Sequence, residues 1–471
     1  RRCFGTNGKI NNNTKKDREK AIVKIFFCHK TLSICIFYYN PFLLKTEKLS
    51  ISAMYHHKPV LAKSFRALRP IPEKASEVIA PPYDVLNSDE ARERATDKPL
   101  SFLHVSKPEI DLPVDTPFDD PKVYDQGLKN LSKLISEKIL IEEDEYSLYI
   151  YEISTNGCKQ TGVAFAASLE AYDLNLIKKH EHTSPRKEAD RVQNIATLNA
   201  QTGPVLLTYK SNMHLKEILS KIIVQDPIYD VYADEGPRHK IWKLSNVDEI
   251  DSILQIINNM DALFIADGHH RSAAAARVRD QRKQGNANHN GRENYNYFLA
   301  VAFPHSEMNI LGYNRVVKGI NNHTQESLLQ AINLSFDVEL SPVPFKPSKP
   351  KQFGMYIEGM WYKLELKQIL HNIADPVKSL DVSLLHDYLL EPILGIKDER
   401  TDQRIDFVGG AKGLQALAAK VDSKEMVAAF SLYPTAIDDL ISVAKAGKVM
   451  PPKSTWFEPK LLDGLLSHRI D

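Results

Sequence analysis

Residues 262–271 read Ala-Leu-Phe-Ile-Ala-Asp-Gly-His-His-Arg and pass in one step from an apolar run to a polar turn. The apolar run 262–266 predicts a short buried strand, and the Ala-rich segment 272–283 predicts a helix, because Ala and Arg are strong helix formers. The strand-to-helix turn between them holds five polar residues that can bind or catalyse: Asp267, Gly268, His269, His270 and Arg271.

A turn that leads into a helix is suited to binding phosphate. The first backbone N–H groups of a helix are unpaired and lie at the positive end of its dipole. Gly268 lets the backbone approach a ligand closely, and Arg271 can clamp an oxyanion with two hydrogen bonds. The alternative is a satisfied His pair behind an N-capping Asp267. The density of polar residues behind a buried strand favours a site for a phosphorylated small molecule.

The composition is that of an ordinary globular protein. The 471 residues are 43% hydrophobic and 26% charged with a net charge of +1, which excludes collagen-like, low-complexity and globally disordered classes. The length predicts two domains. From Met54 onward Cys158 is the one cysteine, which fits a reducing compartment. We therefore expect a cytoplasmic protein, or an organellar one if residues 1–53 are a targeting leader.

Residues 1–53 differ in composition from the rest of the chain. They carry eleven Lys and Arg against three Asp and Glu, a net charge of +8, which leaves about −7 for the other 418 residues. Their apolar segment 22–39 is interrupted by charge and is a poor membrane span or secretory signal. Three interpretations compete: upstream sequence translated in error, an organelle-targeting leader, or a real extension. The sharp change just before Met54 favours the first. The acidic remainder argues against nucleic acid as a partner.

We expect residues 1–53 to be dispensable for folding, because the folded pattern begins only after Met54. A chain that starts at Met54 should be soluble and should melt at the same temperature as the full chain. Thermal unfolding of the two proteins, followed side by side, checks this. A fall in melting temperature of several degrees on truncation would contradict it, since about 1 kcal/mol shifts the melting temperature of a domain by a few degrees.

The remaining chain divides by pattern near residue 317. Apolar runs predict strands at 205–209 and 162–172, among others, in a region 54–317 that carries the polar turn. After residue 318 a helix and a Pro-rich stretch lead into a second α/β region, 318–471. Its last feature is the Pro-bounded loop 450–460, which is either a rigid structural turn or a loop that reaches a site. Three of its residues are candidate ligand contacts: Lys453, Ser454 and Thr455.

Several common fingerprints are absent from the sequence. It contains no Walker A loop, no GxGxxG, no HExxH, no GxSxG and no CxxC pair. If the protein binds nucleotides, it therefore binds them without these motifs.

Five motifs in a fixed order nevertheless resemble a known family. They are Ala-Pro-Pro-Tyr-Asp at 80–84, His-Glu-His-Thr at 180–183 with Asp190-Arg191, the turn at 267–271, Tyr-Asn-Arg-Val-Val at 313–317, and the loop 450–460. Together they resemble the domain-of-unknown-function family 1015, over roughly residues 59–470. One departure is Asn314, where the family pattern leads us to expect His.

A second, more distant resemblance implies a chemistry. A His-Glu loop followed by strand-Asp-Gly-His-x-Arg-helix is similar to the free-serine kinases of the ParB/sulfiredoxin-like fold. This implies an α/β (α+β) protein with a ParB/sulfiredoxin-like nucleotide-binding core and a second mixed α/β portion. Glu181 would be the general base, and the turn 267–271 would hold ATP or ADP with Mg²⁺. The other motif residues would contact the substrate: Tyr83, His180, Arg191, Lys453, Ser454 and Thr455.

The preferred function is thus a nucleotide-dependent phosphotransferase, a kinase of a small hydroxylated metabolite such as free serine. Phosphoryl transfer needs positioning, charge neutralisation and a carboxylate to take the hydroxyl proton. Glu181 lies between two histidines, which are expected to hold it ionised. Two alternatives stay open: a nucleotide-binding switch without turnover, and a metal-dependent hydrolase. The ligands of that hydrolase would be His180, Glu181, His182, Asp267, His269 and His270.

The sequence implies a nucleotide and a small-molecule substrate as partners, with no nucleic acid and no membrane. It does not indicate an oligomeric state.

Overall fold

The computed structural model describes residues 58–155, 157–233 and 236–471, and the backbone of two short strands in the leader. Contacts divide the chain into two units, Arg1–Pro59 and Val60–Asp471. In the first unit, strands β1 (Lys24–Phe27) and β2 (Ile34–Phe37) pair antiparallel. The expectations for residues 1–53 otherwise lie outside the described residues.

The second unit contains short strands throughout its length. They are β3 (Ala62–Lys63), β4 (Ala67–Pro70), β5 (Leu140–Glu142), β6 (Leu148–Thr155), β7 (Cys158–Ser168), β8 (Ile177–Lys178), β9 (Ala200–Gln201), β10 (Val205–Tyr209), β11 (Tyr229–Tyr232), β12 (Arg238–Leu244), β13 (Leu263–Asp267), β14 (Tyr297–Pro304), β15 (Ile310–Leu311), β16 (Tyr313–Val317), β17 (Phe336–Ser341), β18 (Gln352–Ile357), β19 (Met360–Leu366), β20 (Ile405–Gly409), β21 (Ala428–Leu432), β22 (Trp456–Phe457) and β23 (Ser467–Arg469).

Helices alternate with these strands, which makes the fold mixed α/β, as the sequence predicts. They are α1 (Ala75–Val78), α2 (Ser88–Ala95), α3 (Leu103–Ser106), α4 (Pro121–Ser136), α5 (Leu169–Asp173), α6 (Pro185–Leu198), α7 (Met213–Ile222), α8 (Val247–Asn259), α9 (His269–Gly285), α10 (Gln325–Ile332), α11 (Asp381–Leu385), α12 (Gly413–Asp422) and α13 (Ile437–Lys445).

The larger of two main sheets has nine strands and is buried on both faces. Its order is β11-β12-β6-β7-β14-β10-β13-β8, with β3 beside β7. The pairs β10–β14 and β13–β8 are parallel, and the other pairs are antiparallel. Because strand side chains alternate between faces, Leu148 and Ile150 of β6 enter one core while Tyr149 and Tyr151 enter the other. The two-sided burial explains why central strands such as β10 and β14 are continuous apolar runs, whereas residues of the edge strand β11 alternate between buried and exposed.

A second sheet of six strands is built mainly from the C-terminal part of the chain. Its order is β17-β19-β18-β21-β16-β20, and it is antiparallel throughout. A four-stranded sheet, β5-β4-β23-β9, joins the C-terminal strand to early elements. The two-stranded pair β15–β22 ties the chain around Leu311 to Trp456. This last pairing fixes one end of the loop 450–460.

The junction between β13 and α9 is tighter than the sequence suggests. Helix α9 begins at His269, three residues before the predicted start, so Gly268 alone makes the turn. Gly268 has φ +99°, a left-handed conformation that favours glycine. A Cβ atom there would lie 3.1 Å from Arg271 Nε and 3.3 Å from Val205 Cα. His269, His270 and Arg271 therefore form the first helical turn rather than a loop.

Helix α9 packs against α6 across a small apolar cluster. Val192 and Ile195 of α6 meet Ala274 and Val278 of α9 in this cluster. The chain segment that precedes α6 is the His-Glu-His-Thr loop. The packing of the two helices therefore brings the loop around Glu181 next to the start of α9.

In the described ranges 58–155, 157–233 and 236–471, no helix combines the length and the apolar character that crossing a membrane would require.

Candidate functional site

A cavity of about 430 Å³ opens where the carboxyl end of β13 meets the start of α9. All five sequence motifs contribute lining residues, and Tyr-Asn-Arg-Val-Val contributes Tyr313. The structure brings ten of the residues named from the sequence to this cavity: Tyr83, Glu181, Arg191, Asp267, Gly268, His269, His270, Arg271, Lys453 and Thr455.

The start of α9 forms one wall of the cavity. Gly268 occupies the N-cap position, and within the described residues no side chain caps the helix there. The first N–H groups of a helix need acceptors, and the positive end of the helix dipole attracts anions. This wall is therefore suited to an anionic group such as a phosphate.

Arg271 lies in the first turn of α9 and is held in place by backbone and carboxylates. Its side chain is only 10% exposed, and Nη1 donates to the carbonyl of Pro204. Nη2 lies 3.9 Å from Asp84 Oδ2 and 3.6 Å from Asp267 Oδ1. Burial lowers the pKa of the guanidinium, but Asp84 and Asp267 outweigh this and raise the pKa overall. Arg271 is thus a fixed positive charge at the cavity wall.

Asp267 ends β13 and pairs with a lysine almost two hundred residues away. Lys460 Nζ donates to Asp267 Oδ2 at 3.0 Å. Burial raises the pKa of Asp267, but Lys460 and Arg271 outweigh it and hold the pKa well below the ordinary value of a carboxyl. Asp267 is therefore an ionised carboxylate on the cavity wall. Lys460 belongs to the Pro-bounded loop 450–460, and the sequence alone did not indicate it as a site residue.

Glu181 lies beside His269 at the same cavity. The His269 ring accepts at Nε2 from the backbone N–H of His180 at 3.4 Å, so in its neutral form the proton is on Nδ1. Nδ1 lies 3.8 Å from Glu181 Oε2. Burial holds the pKa of His269 well below its ordinary value. The ring next to Glu181 is therefore neutral near pH 7.

The groups that act on the pKa of Glu181 differ from the flanking histidines that the sequence suggests. His180 is buried against His269, with ring centroids 4.4 Å apart, and burial lowers its pKa to about 4. His182 is exposed. Burial raises the pKa of Glu181, and Lys453 is the main group that opposes the shift. The counter-charge of Glu181 thus comes from the C-terminal loop and not from its sequence neighbours.

Tyr83 and Arg191 form a stacked pair at the cavity. The Arg191 guanidinium stacks 4.0 Å over the Tyr83 ring and pairs with Asp190 Oδ2 at 2.7 Å. Tyr124 donates to the other Asp190 oxygen at 2.9 Å. Burial raises the pKa of Tyr83, so its hydroxyl stays protonated and can donate a hydrogen bond to a ligand.

Ser454 lies in the loop that reaches the cavity, but its side chain turns inward. Its hydroxyl donates to the carbonyl of Pro451 at 2.7 Å, and its own carbonyl accepts from Thr435. Ser454 therefore shapes the loop, while its neighbours Lys453 and Thr455 line the cavity.

Asn314, at the position where the family pattern suggests His, accepts from the backbone N–H of Leu432 at 3.1 Å. Asn314 thus joins strand β16 to the end of β21.

Asp463 was not identified from the sequence, because no motif surrounds it. It is buried, and burial raises its pKa to about 7 against the opposing effect of Arg271. Gly203 separates it from Arg271: a Cβ atom there would lie 3.2 Å from Asp463 Oδ1 and 3.4 Å from Arg271 Cδ. Asp463 therefore lies close to Arg271, and the charge of Arg271 affects the pKa of Asp463.

The histidines and carboxylates of the site do not form a metal cluster in the part of the chain that the structure describes. Across those residues, no group of three or more His, Cys, Asp or Glu side chains is arranged to hold a metal ion. His270 Nε2 accepts from the backbone N–H of Ser184 at 2.9 Å, and His180 faces His269. The six residues grouped from the sequence as hydrolase ligands are thus not arranged as a metal site, although His180 and Glu181 both lie next to His269.

The fold is that of a mixed α/β protein with a charged cavity at a strand-to-helix junction. The chain belongs to the family described as "Protein of unknown function (DUF1015)", whose model matches residues 62–383. The family predicted from the five ordered motifs is thus confirmed. The loop 450–460 lies beyond the matched range. A sequence comparison with curated proteins gives no match.

This chain is distantly similar to several solved structures. A conserved hypothetical protein from Pyrococcus furiosus is 15% identical, with 65% of this chain and 94% of that chain covered and a TM-score of 0.32. A free serine kinase in complex with AMP is 14% identical, covers 63% and 86%, and has a TM-score of 0.31. SbnI with C-terminal truncation from Staphylococcus aureus is 11% identical, covers 64% and 85%, and has a TM-score of 0.35.

Proposed function

We propose that this protein is a nucleotide-dependent phosphotransferase that moves a phosphoryl group from ATP or ADP to a small hydroxylated metabolite. One observation carries the proposal: the Glu181 carboxylate and the Arg271 guanidinium line one cavity, which the start of α9 also lines. Its volume of about 430 Å³ is in the range of small-molecule sites. A ligand in this cavity can touch a base and an anion-binding wall at once.

In the proposed reaction, the nucleotide phosphates lie against the start of α9 and Arg271. The bond from the transferred phosphorus to its bridging oxygen breaks, and a bond from that phosphorus to the acceptor oxygen forms. The acceptor's hydroxyl proton goes to the Glu181 carboxylate. Charge on the transferred group is neutralised by Arg271, the helix start and Lys453. Burial raises the pKa of Glu181, which makes its carboxylate a stronger proton acceptor.

Two carboxylates fit a role in holding Mg²⁺ together with nucleotide phosphates. Asp84 and Asp267 both line the cavity and flank Arg271 at 3.9 Å and 3.6 Å. Mg²⁺ takes oxygen ligands and is commonly held by one or two carboxylates plus substrate phosphates. When bound, the ion would neutralise phosphate charge. The ionised state of Asp267 is consistent with this role.

The acceptor class that the motif resemblance favours is a free amino acid with a hydroxyl, such as serine. The cavity carries side chains of both signs, including Arg191, Lys187 and Asp190. A zwitterionic acceptor can pair with both kinds of group, which an uncharged alcohol cannot.

Calorimetric titration with ATP and with ADP, each with Mg²⁺, tests the nucleotide site. We expect saturable binding of at least one of them. The absence of binding heat at several temperatures for both nucleotides would contradict the proposal. Metal analysis after mild purification is the companion measurement, since stoichiometric bound zinc would favour the hydrolase alternative instead.

The acid limb of the kcat profile is expected to move to higher pH when Lys453 is replaced by Met. Glu181 acts as a base only when ionised, so kcat falls as pH falls through its pKa, which burial already raises. Lys453 lowers that pKa, and its removal therefore raises it further. Steady-state rates from pH 5 to 9 measure the shift. Lys448→Met is the matched control, because Lys448 pairs with Asp375 and should leave the profile unchanged.

A further inference from the structure

The Tyr-Asn-Arg-Val-Val motif at 313–317 places a fully buried arginine behind the cavity loop. The Arg315 side chain is 0% exposed, and Nε lies 3.2 Å from Glu399 Oε2. Nη1 donates to the carbonyl of Lys453 at 3.1 Å, and Nη2 donates to that of Pro452 at 3.2 Å. Nη1 also donates to the carbonyl of Tyr313 at 2.6 Å. One guanidinium thus joins strand β16 to the loop that carries Lys453.

The loop needs such an anchor, because Lys453 has an unfavourable backbone conformation. Its φ of +56° is in the left-handed region, which costs free energy for a residue with a Cβ atom. The bonds from Arg315 hold the carbonyl of Lys453 and that of the residue before it. With this backbone, Lys453 Nζ lies 5.5 Å from the centre of the Tyr313 ring, at the cavity.

The arginine is itself fixed by a buried carboxylate. Glu399 is 3% exposed, and its other oxygen lies 3.2 Å from His386 Nδ1. The guanidinium plane also lies over the Phe407 ring, with Cζ 5.2 Å from its centre. A lysine in place of Arg315 would keep the charge. It would lack the planar fork that reaches the carboxylate and the loop carbonyls together.

We propose that Arg315 is a positioning residue, which sets the Pro452–Lys453 backbone so that the Lys453 ammonium lies at the cavity that Glu181 also lines. Arg315 reaches the ligand only through this loop, because its own side chain is buried. The effect on phosphate transfer rests on the proposed function. The effect on the loop does not, since it follows from the contacts of Arg315 alone.

The test uses fluorine NMR of the full chain labelled with 5-fluorotryptophan. The sequence has three tryptophans, Trp242, Trp361 and Trp456, so three resonances are expected. Trp456 lies in the loop region and contacts the Tyr313 ring, with centroids 5.2 Å apart. Arg315→Lys should move or broaden the Trp456 resonance, assigned with Trp456→Phe, and leave the other two in place. An unmoved Trp456 resonance in a folded Arg315→Lys protein would overturn the proposal.

A double-mutant comparison separates positioning from general destabilisation. Arg315→Lys should lower kcat about tenfold with little change in KM, and should lower it less than about twofold when Lys453 is already Ala. Equal losses in both backgrounds would overturn the proposal. Arg69→Lys is the matched control: Arg69 is a buried arginine paired with Glu143 outside the cavity, and its loss should affect melting but not kcat. If the wild-type protein transfers no phosphate, the proposed function fails, and the Trp456 resonance alone decides the role of Arg315.

Discussion

Glu181→Gln is expected to bind nucleotide as the wild-type protein does and to lose most of its turnover, on the order of a hundredfold or more. Glutamine keeps the shape of the side chain and its hydrogen bonding but cannot accept the hydroxyl proton. Glu181 lies beside the His269 ring, and the charge of Lys453 is the main effect that lowers its pKa against burial. Nucleotide affinity by calorimetry and turnover by phosphate transfer are the two measurements.

Glu188→Gln is the matched control for this variant. Glu188 is a carboxylate of the neighbouring helix α6 that pairs with Arg277 and accepts from Thr183. Its replacement should leave turnover within about twofold of wild type. If Glu181→Gln retained full turnover, the role of Glu181 as the base would be wrong, and only an anion-binding wall would remain.

Arg271→Ala is expected to weaken nucleotide binding by roughly 1.5–3 kcal/mol, the range for a lost charge-assisted hydrogen bond. This corresponds to a rise in Kd of about 10- to 150-fold. The structure adds a cost in stability that the sequence did not suggest. The side chain is buried, and its removal leaves the carbonyl of Pro204 without this donor and Asp267 without one of its cations.

Two further variants separate these effects. Arg271→Lys keeps the charge and should be intermediate in affinity, because it lacks the planar fork. Arg277→Ala removes an arginine of the same helix that pairs with Glu188 away from the cavity, and should not change affinity. Melting temperatures measured alongside correct for folding. Unchanged affinity of a folded Arg271→Ala protein would remove the phosphate-binding role of Arg271.

The parts of the fold that depend on local pattern were predictable from the sequence. The apolar run at 205–209 forms β10 with the same bounds, and the strand before Asp267 is β13, shifted by one residue. The prediction of a strand at 162–172 is wrong at its C-terminal end, because β7 ends at Ser168. The Ser168 hydroxyl accepts from the N–H of Ala171 and caps α5. An apolar run that contains a capping serine is easily taken for one strand, because the end of β7 and the short helix α5 both bury apolar side chains.

The parts of the site that depend on distant segments were not predictable. Lys460 lies 193 residues from Asp267, and nothing local to either residue indicates that they pair. Asp463 lies behind Arg271 without a motif around it. The ordered motifs did indicate which loops meet, but not which side chains turn inward, as Ser454 does. The predicted division of the chain after residue 317 stays a prediction. Strand β16, which ends there, pairs with β20 and β21 of the second sheet.

Phosphate transfer from labelled nucleotide is the most direct measurement of the central claim. The full chain is incubated with Mg²⁺ and labelled ATP or ADP, with and without a mixture of amino acids and then a wider metabolite pool. The account predicts that label appears on a small hydroxylated acceptor, and that Glu181→Gln abolishes nearly all of it while nucleotide binding persists. Binding of nucleotide with no labelled acceptor in any pool would contradict the account and would indicate a nucleotide-binding switch instead.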